Sequence, residues 1–258
     1  MEMSNQKTGI LVRFPLVQKK GKKPGYQVSF GDFMLRKISE GLNIGYKCFV
    51  FEITDDDFDS LEFNVTESAG ESLNNYINNL GVRVALYIKG KKYLTSDSEA
   101  EILSAHSQIV SCLDFIKKLD IKDFQEVPII LHIGGAKGDR RGTMENFCKK
   151  IECWFHEDDI KRLAVVNDEK PSLFSVKDLL PGVFYRIKIP IVFRSTSYPT
   201  NQGNLTLNES LFLAASTWKR TVNPIFLYLP SNTNIGSEET RPFGLELDFV
   251  FDNRLPEP

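Results

Sequence analysis

VPIILHI (127–133), MENFCKKIECWF (144–155) and RLAVV (162–166) are the stretch whose reading decides the fold. The first and last are short, almost continuously apolar runs, the composition of strands buried on both faces. The middle segment carries apolar residues at helical spacing. Strand, helix and strand in that order form a βαβ unit, so the sheet is expected to be parallel.

Working outward, the alternation continues in both directions. GILVRFPLV (9–17), YKCFVFEI (46–53) and VRVALYI (82–88) precede this unit, and KIPIVFR (188–194), PIFLYL (224–229) and LELDFVF (245–251) follow it. Helix-patterned segments lie between them at 30–42, 67–80, 97–119, 176–185 and 207–215. In the longest of these, Ile102, Ile109, Val110, Leu113, Ile116 and Leu119 keep one face apolar, with Ser96 or Asp97 as a cap before Glu99. Eight strand runs alternating with helices predict an α/β fold, a single (β/α)8 TIM-type barrel over residues 1–258. Seven residues follow the eighth run, so the barrel is expected to lack a full eighth helix. The rival is a doubly wound open sheet, which the missing G-x-G-x-x-G after the first run weakens. Residues 230–242, rich in Asn with Gly and Ser, read as a long loop.

Composition narrows the function. Hydrophobic residues are 41% and charged residues 26%, with a formal net charge of -2. That excludes an overall polycation but not a local basic face. No run approaches the ~18 apolar residues of a membrane-spanning helix, and residues 1–8 lack an apolar signal core. The cysteines Cys48, Cys112, Cys148 and Cys153 form no CxxC pair. A reducing, cytoplasmic location without membrane partners is the expectation. The three histidines, His106, His132 and His156, are too few and too scattered for a rich imidazole cluster.

On such a barrel, function sits in the loops after the strands. Lys19, Lys20, Lys22 and Lys23 follow the first strand, and Lys89, Lys91, Lys92 and Tyr93 follow the third. Lys137, Arg140 and Arg141 follow the fourth, Lys170 follows the fifth, and the sixth ends at Arg194. Each group alone reads as loop solvation. Together, on one face of a nearly neutral chain, they point towards a polyanion partner. The second strand ends instead in an acidic run, Asp55, Asp56, Asp57 and Asp59, which reads as a capped turn rather than a cation site. His132, followed by Gly134 and Gly135, occupies a metal or phosphate position or is a structural His. Asp168 and Glu169 are candidates for ligand contacts, while Asn167 reads as scaffold. Trp154 and Trp218 read as packing.

LHIGGAKGDRRGTMENF (131–147) resembles the His-[Ile/Leu]-Gly-Gly-x-x-Gly-[Asp/Glu] segment of the UV-damage endonuclease (UvdE) family of TIM barrels. AVVNDEK (164–170) is similar to its Leu-Glu-Asn-Asp-[Asp/Glu] strand end. Residues 83–94 and the later order from Ile189 to Thr217-Trp218 fit the same pattern. The resemblance implies a metal-dependent DNA endonuclease that nicks 5′ to ultraviolet lesions.

The departures matter as much. His132 is kept, but the family's Glu falls on Val166, its Asp on Arg194, and the His three residues later on Ser197. Its third-strand His falls on Tyr87 and its seventh-strand His on Tyr228, with the Lys two before on Phe226. Asp248 is the nearest replacement for its last-strand Glu. His132, Asp168, Glu169 and Asp248 are thus the residual metal-site positions. The family's lesion-probing Gln-Tyr pair falls on Lys92-Tyr93. An Arg in place of a carboxylate both removes a ligand and repels a dication.

The first expectation is a degenerate relative without a cofactor. It would bind duplex DNA, or a repair protein or active paralogue, through its basic loops. The second is a working endonuclease with a remodelled Mn or Zn site using His132, Asp168 or Glu169, Asp248 and Asp55 or Asp56. The third is a barrel that holds a small phosphorylated ligand on Gly134-Gly135, Lys137 and Arg194.

Overall fold

Two prolines show how the sequence sets the strand starts. Pro128 and Pro190 have no N–H to donate, yet their carbonyls accept from Leu86 N at 3.0 Å and Val165 N at 2.9 Å. Each therefore sits at the first rung of a ladder rather than inside one. In the computed structural model, which describes residues 8–14, 28–119, 121, 127–135, 139–219, 224–228 and 248–251, the strands are accordingly shorter than the apolar runs. They are β1 Thr8–Arg13, β2 Cys48–Ile53, β3 Arg83–Ile88, β4 Ile129–Leu131, β5 Leu163–Val166, β6 Ile191–Arg194, β7 Ile225–Tyr228 and β8 Asp248–Phe251. All neighbours pair in parallel, and β1 pairs with both β2 and β8, which closes the barrel. A small separate ribbon pairs Val28–Ser29 with Leu61–Glu62.

The helices that pack on the barrel include α1 Phe30–Asn43, α2 Glu67–Asn74 (ending in a π turn, Asn75–Asn79), α3 Glu99–Lys118, α4 Arg140–Trp154, α5 Val176–Leu179 and α6 Leu207–Ser216, with short turns at Asp55–Phe58 and Glu157–Ile160. α4 starts four residues before the apolar pattern does, because Asp139 caps it by accepting from Gly142 N at 2.8 Å. α5 runs on through a π turn at Leu180–Phe184 into Tyr185–Ile187. Pro181 lies in that turn and cannot supply an α-type donor.

Two apolar layers result. Phe30, Phe33, Met34, Ile38, Ile109, Phe115 and Ile116 from the helices pack against the outward residues of the strands. The barrel interior is filled by Leu11, Cys48, Val50, Ala85, Tyr87, Ile130, Ala164, Val166, Val192, Ile225 and Leu227. Trp218 joins them at the strand-entry end, where its Nε1 donates to Ile191 O at 2.8 Å. These inward residues alternate along each strand, as the period of two requires. The register fixes which side chains come next at the open end.

Candidate functional site

On five strands, two residues beyond the last inward apolar residue comes a polar one. Arg13 follows Leu11, Glu52 follows Val50, His132 follows Ile130, Asp168 follows Val166 and Arg194 follows Val192. On β3, Tyr87 is itself the upper inward residue, and Lys89 follows it. The ladder pairs Arg13 with Glu52 and Glu52 with Tyr87. The strand alternation thus builds a polar layer at the carboxyl end of an apolar barrel.

At its centre is a hydrogen-bonded chain. His132 Nδ1 lies 2.7 Å from Asp168 Oδ1, and His132 Nε2 lies 2.7 Å from Tyr87 Oη. An ionised carboxylate only accepts, so Nδ1–H donates to Asp168. In the neutral ring Nε2 then accepts from the Tyr87 hydroxyl. Burial pushes the Tyr87 phenol well above its ordinary value, and the nearby carboxylates Glu52, Asp168 and Glu169 add to this while Arg194 opposes it. The hydroxyl is therefore held protonated and available as a donor. Asp168 is only 5% exposed, and its second oxygen, Oδ2, has no hydrogen-bond partner.

Around this chain the charges pair internally. Glu52 is buried and takes Arg13 Nε at 3.2 Å and Lys89 Nζ at 3.2 Å. Arg194 is buried, and its guanidinium meets Glu169 at 2.5 Å. Asn167 bridges β5 to β6, with Arg194 N donating to its Oδ1 at 2.6 Å and its Nδ2 donating to Arg194 O at 3.2 Å. Asn167 extends the ladder, as a scaffold residue should. Asn201 Nδ2 holds Asp168 O and Lys170 O, each at 3.1 Å, and Thr200 Oγ1 holds Glu169 O at 2.5 Å.

The expected residues separate into groups. His132, Asp168, Glu169 and Arg194 converge. Lys89 joins them, but as the partner of Glu52 rather than as a free cation. Arg140 is paired with Asp178 and Arg141 with Glu145, so neither is an uncommitted charge. Lys91 and Lys92 make no ion pair among the described residues, and Lys91 is exposed. Asp248 belongs elsewhere: the ladder sets its backbone level with Ile225, at the entry end of β8 and away from the mouth. Lys19, Lys20, Lys22, Lys23 and Lys137, and the 230–242 loop, lie outside the described residues.

Asp55 and Asp57 serve local structure. Asp57 closes a capping box on Thr54, accepting from its N and Oγ1 at 2.7 Å each. Its carboxyl sits above the ordinary range because burial outweighs those bonds. Asp55 accepts from Gln108 Nε2 and from Lys91 N, both at 2.8 Å, and so fixes the loop that carries Lys92 and Tyr93.

Gly134 has φ +109°, and a Cβ there would lie 2.6 Å from Tyr93 Cβ and from Thr95 Oγ1. This glycine thus serves the packing of the β3 loop on the β4 loop. Burial also raises the Tyr93 phenol, with Asp168 and Asp55 adding to it.

Sequence reading missed Glu52 and Arg13. The signal was present: each is charged, and each lies on the inward column of an otherwise apolar run.

A closed parallel barrel with its polar side chains gathered at the carboxyl ends of the strands is a TIM barrel. Residues 61–241 match the family model described as UV-endonuclease UvdE, and the chain belongs to that family. The UV DNA damage endonuclease of Clostridium perfringens (strain 13 / Type A) is 28% identical over 156 residues, which are 59% of this chain and 36% of that protein. The match thus spans little more than a third of that relative. The crystal structure of SacUVDE superposes with a TM-score of 0.64 at 20% identity, covering 85% of this chain and 78% of that one. Endonuclease IV from Thermus thermophilus gives 0.61 at 10% identity, covering 97% and 93%. At these identities the structural likeness shows the fold.

The family is metal-dependent, and the described residues at the mouth of this barrel do not fit its metals. A histidine can ligate Zn or Mn only through a ring nitrogen with a free lone pair. Both nitrogens of His132 are engaged, one by a carboxylate and one by a buried phenol. Arg194 brings a fixed cation into the same layer, and Val166 offers no donor at all. Among the described residues, no three His, Cys, Asp or Glu side chains are grouped to hold an ion. Among the same residues, no helix is long and apolar enough to cross a membrane.

Proposed function

We propose that this chain is a UV-damage-endonuclease barrel that binds duplex DNA without metal-dependent nicking. The observation that carries this reading is the closure of His132: Tyr87 Oη covers, at 2.7 Å, the nitrogen that a metal would need. Two carboxylates of the mouth, Glu52 and Glu169, pair with the organic cations Arg13, Lys89 and Arg194, in the place where dications would balance them, and the third, Asp168, is held by His132. Lys91 and Lys92, beside Tyr93, are among the described cations left to meet phosphate. A repair protein or an active paralogue is the companion such a subunit requires for strand cleavage.

The test is binding of undamaged and irradiated duplex by fluorescence anisotropy across a range of salt, with nicking of irradiated plasmid in Mn measured in parallel. The reading expects binding whose affinity falls steeply with salt, because counterions are released, and no nicking above background. Salt-insensitive or absent binding would overturn it, as would stoichiometric nicking.

A second reading, a working endonuclease with a remodelled site, draws support from Glu52 and from the unpartnered Oδ2 of Asp168. It requires Arg194 and Tyr87 to move aside, and the same nicking assay separates it from the first.

A further inference from the structure

Two voids among the described residues differ in size. The cavity next to His132 and Tyr93 measures about 20 Å3, room for about one water. The loops after β5 and β6, with the start of α4, instead enclose a cleft of about 430 Å3, the size of a small-ligand site. Its walls are polar, with Arg140, Lys177, Asp178, Asn201, Gln202 and Asn204 among the lining residues.

The charges in the cleft are not balanced. Asp178 is its one carboxylate, and that carboxylate is committed to Ser175 N at 2.8 Å, to Ser175 Oγ at 2.6 Å and to Arg140 Nη2. Arg140 Nη2 also reaches Leu173 O, while Nη1 makes no such bond among the described residues. The exposed Lys177 ammonium has no partner among the described residues, and neither do the amides of Gln202 and Asn204. A ligand would thus meet a lysine, one edge of a guanidinium already held rigid, and two free amides. A held guanidinium and an ammonium recognise a phosphate monoanion or dianion. Free amides recognise hydroxyls or the edge of a base.

We propose that this cleft binds a phosphate ester, with the phosphate on Lys177 and Arg140 and the sugar or base on Gln202 and Asn204. Its wall is also tied to the mouth. Asn201 and Thr200 hold the carbonyls of Asp168, Lys170 and Glu169, so a ligand seated there braces the segment that presents Asp168 and Glu169 to the mouth. The site does not depend on the DNA-binding reading, because it lies on a different set of loops from Lys91 and Lys92.

The experiment is calorimetric titration of the full chain with dAMP and with deoxyadenosine, repeated on Lys177→Glu and Asn204→Gly. Both substitutions lie at exposed positions. Glycine accepts the positive φ of 61° at residue 204. The site is supported if dAMP binds about tenfold or more tightly than deoxyadenosine, and if each variant weakens dAMP, Lys177→Glu by about tenfold or more. Equal affinity for the two ligands, no binding of dAMP, or undiminished dAMP binding by Lys177→Glu would overturn it. Competition with undamaged duplex then identifies the source: displacement of dAMP assigns the site to the DNA backbone, and simultaneous binding assigns it to a free nucleotide. Duplex affinity retained in a variant that has lost dAMP would leave the DNA-binding reading intact, so the two fail separately.

Discussion

Tyr87 Oη and His132 Nε2 lie 2.7 Å apart on adjacent strands, sealing the imidazole from the barrel mouth. Tyr87→Phe removes the donor and leaves a buried ring nitrogen unsatisfied. It is expected to cost about 1–3 kcal/mol in urea denaturation. The pH dependence identifies the group. Burial holds the folded phenol protonated above its ordinary value of 10.0, so above that pH the folded state retains a proton that the unfolded chain has lost. Stability from this group is complete below pH 10 and falls as pH rises beyond it, by up to about 1.4 kcal/mol per unit. Buried cysteines titrate upward in the same region, so the readout is the difference between wild type and Tyr87→Phe. That difference should shrink between pH 9 and 11, and a constant difference would contradict the assignment.

Arg194→Asp alone restores a carboxylate at the sixth strand end but will not restore nicking of irradiated plasmid. Tyr87 still covers His132, and Val166 still offers no ligand. The substitution places a fourth carboxylate beside Glu52, Asp168 and Glu169 and removes the partner of Glu169. A stability loss of about 2–3 kcal/mol is expected, less than for a fully buried pair because Glu169 is half exposed. Recovery of nicking by this single change would show that the site is nearly intact.

Gly134→Ala meets both a positive φ and a 2.6 Å approach to Tyr93 and Thr95. It is expected to destabilise by about 1–3 kcal/mol and to displace the Tyr93 loop. Thermal unfolding and Tyr93 solvent quenching in a single-tyrosine reporter background report the two effects. Gly135→Ala is the control, since nothing lies within 4 Å of the added methyl.

Lys91→Ala with Lys92→Ala removes two cations that make no ion pair among the described residues. If both meet phosphates, the slope of log affinity against log salt falls by about 2. Arg141→Ala, which deletes a charge already paired with Glu145, should leave the slope nearly unchanged.

The barrel itself was legible because parallel strands buried on both faces give continuous apolar runs, and all eight were present. Their ends were not, since Pro128 and Pro190 begin ladders rather than continue them. The π turn after α5 left only Pro181 as a trace. At the site, His132, Asp168, Glu169 and Arg194 were readable as strand-end residues. Glu52 and Arg13 escaped because each sits inside or beside an apolar run, and only inward-outward alternation marks them as mouth residues. The mutual cancellation of Lys89 with Glu52 and of Arg194 with Glu169 was invisible, because it joins residues far apart in sequence. For the same reason the cationic face of the sequence is smaller in the fold: Lys89, Arg141 and Arg194 are spent on internal partners, and Arg140 is partly committed to Asp178. The polar cleft is assembled from three loops and left no local signature.

The central claim is that side-chain cations and a phenol occupy the mouth where the family places dications. Metal content per chain, measured by mass spectrometry after equilibration with Mn and Zn and removal of free ion, tests it most directly. Substoichiometric metal that Tyr87→Phe leaves unchanged is the predicted result. Two or more ions per chain, lost on His132→Ala, would contradict it.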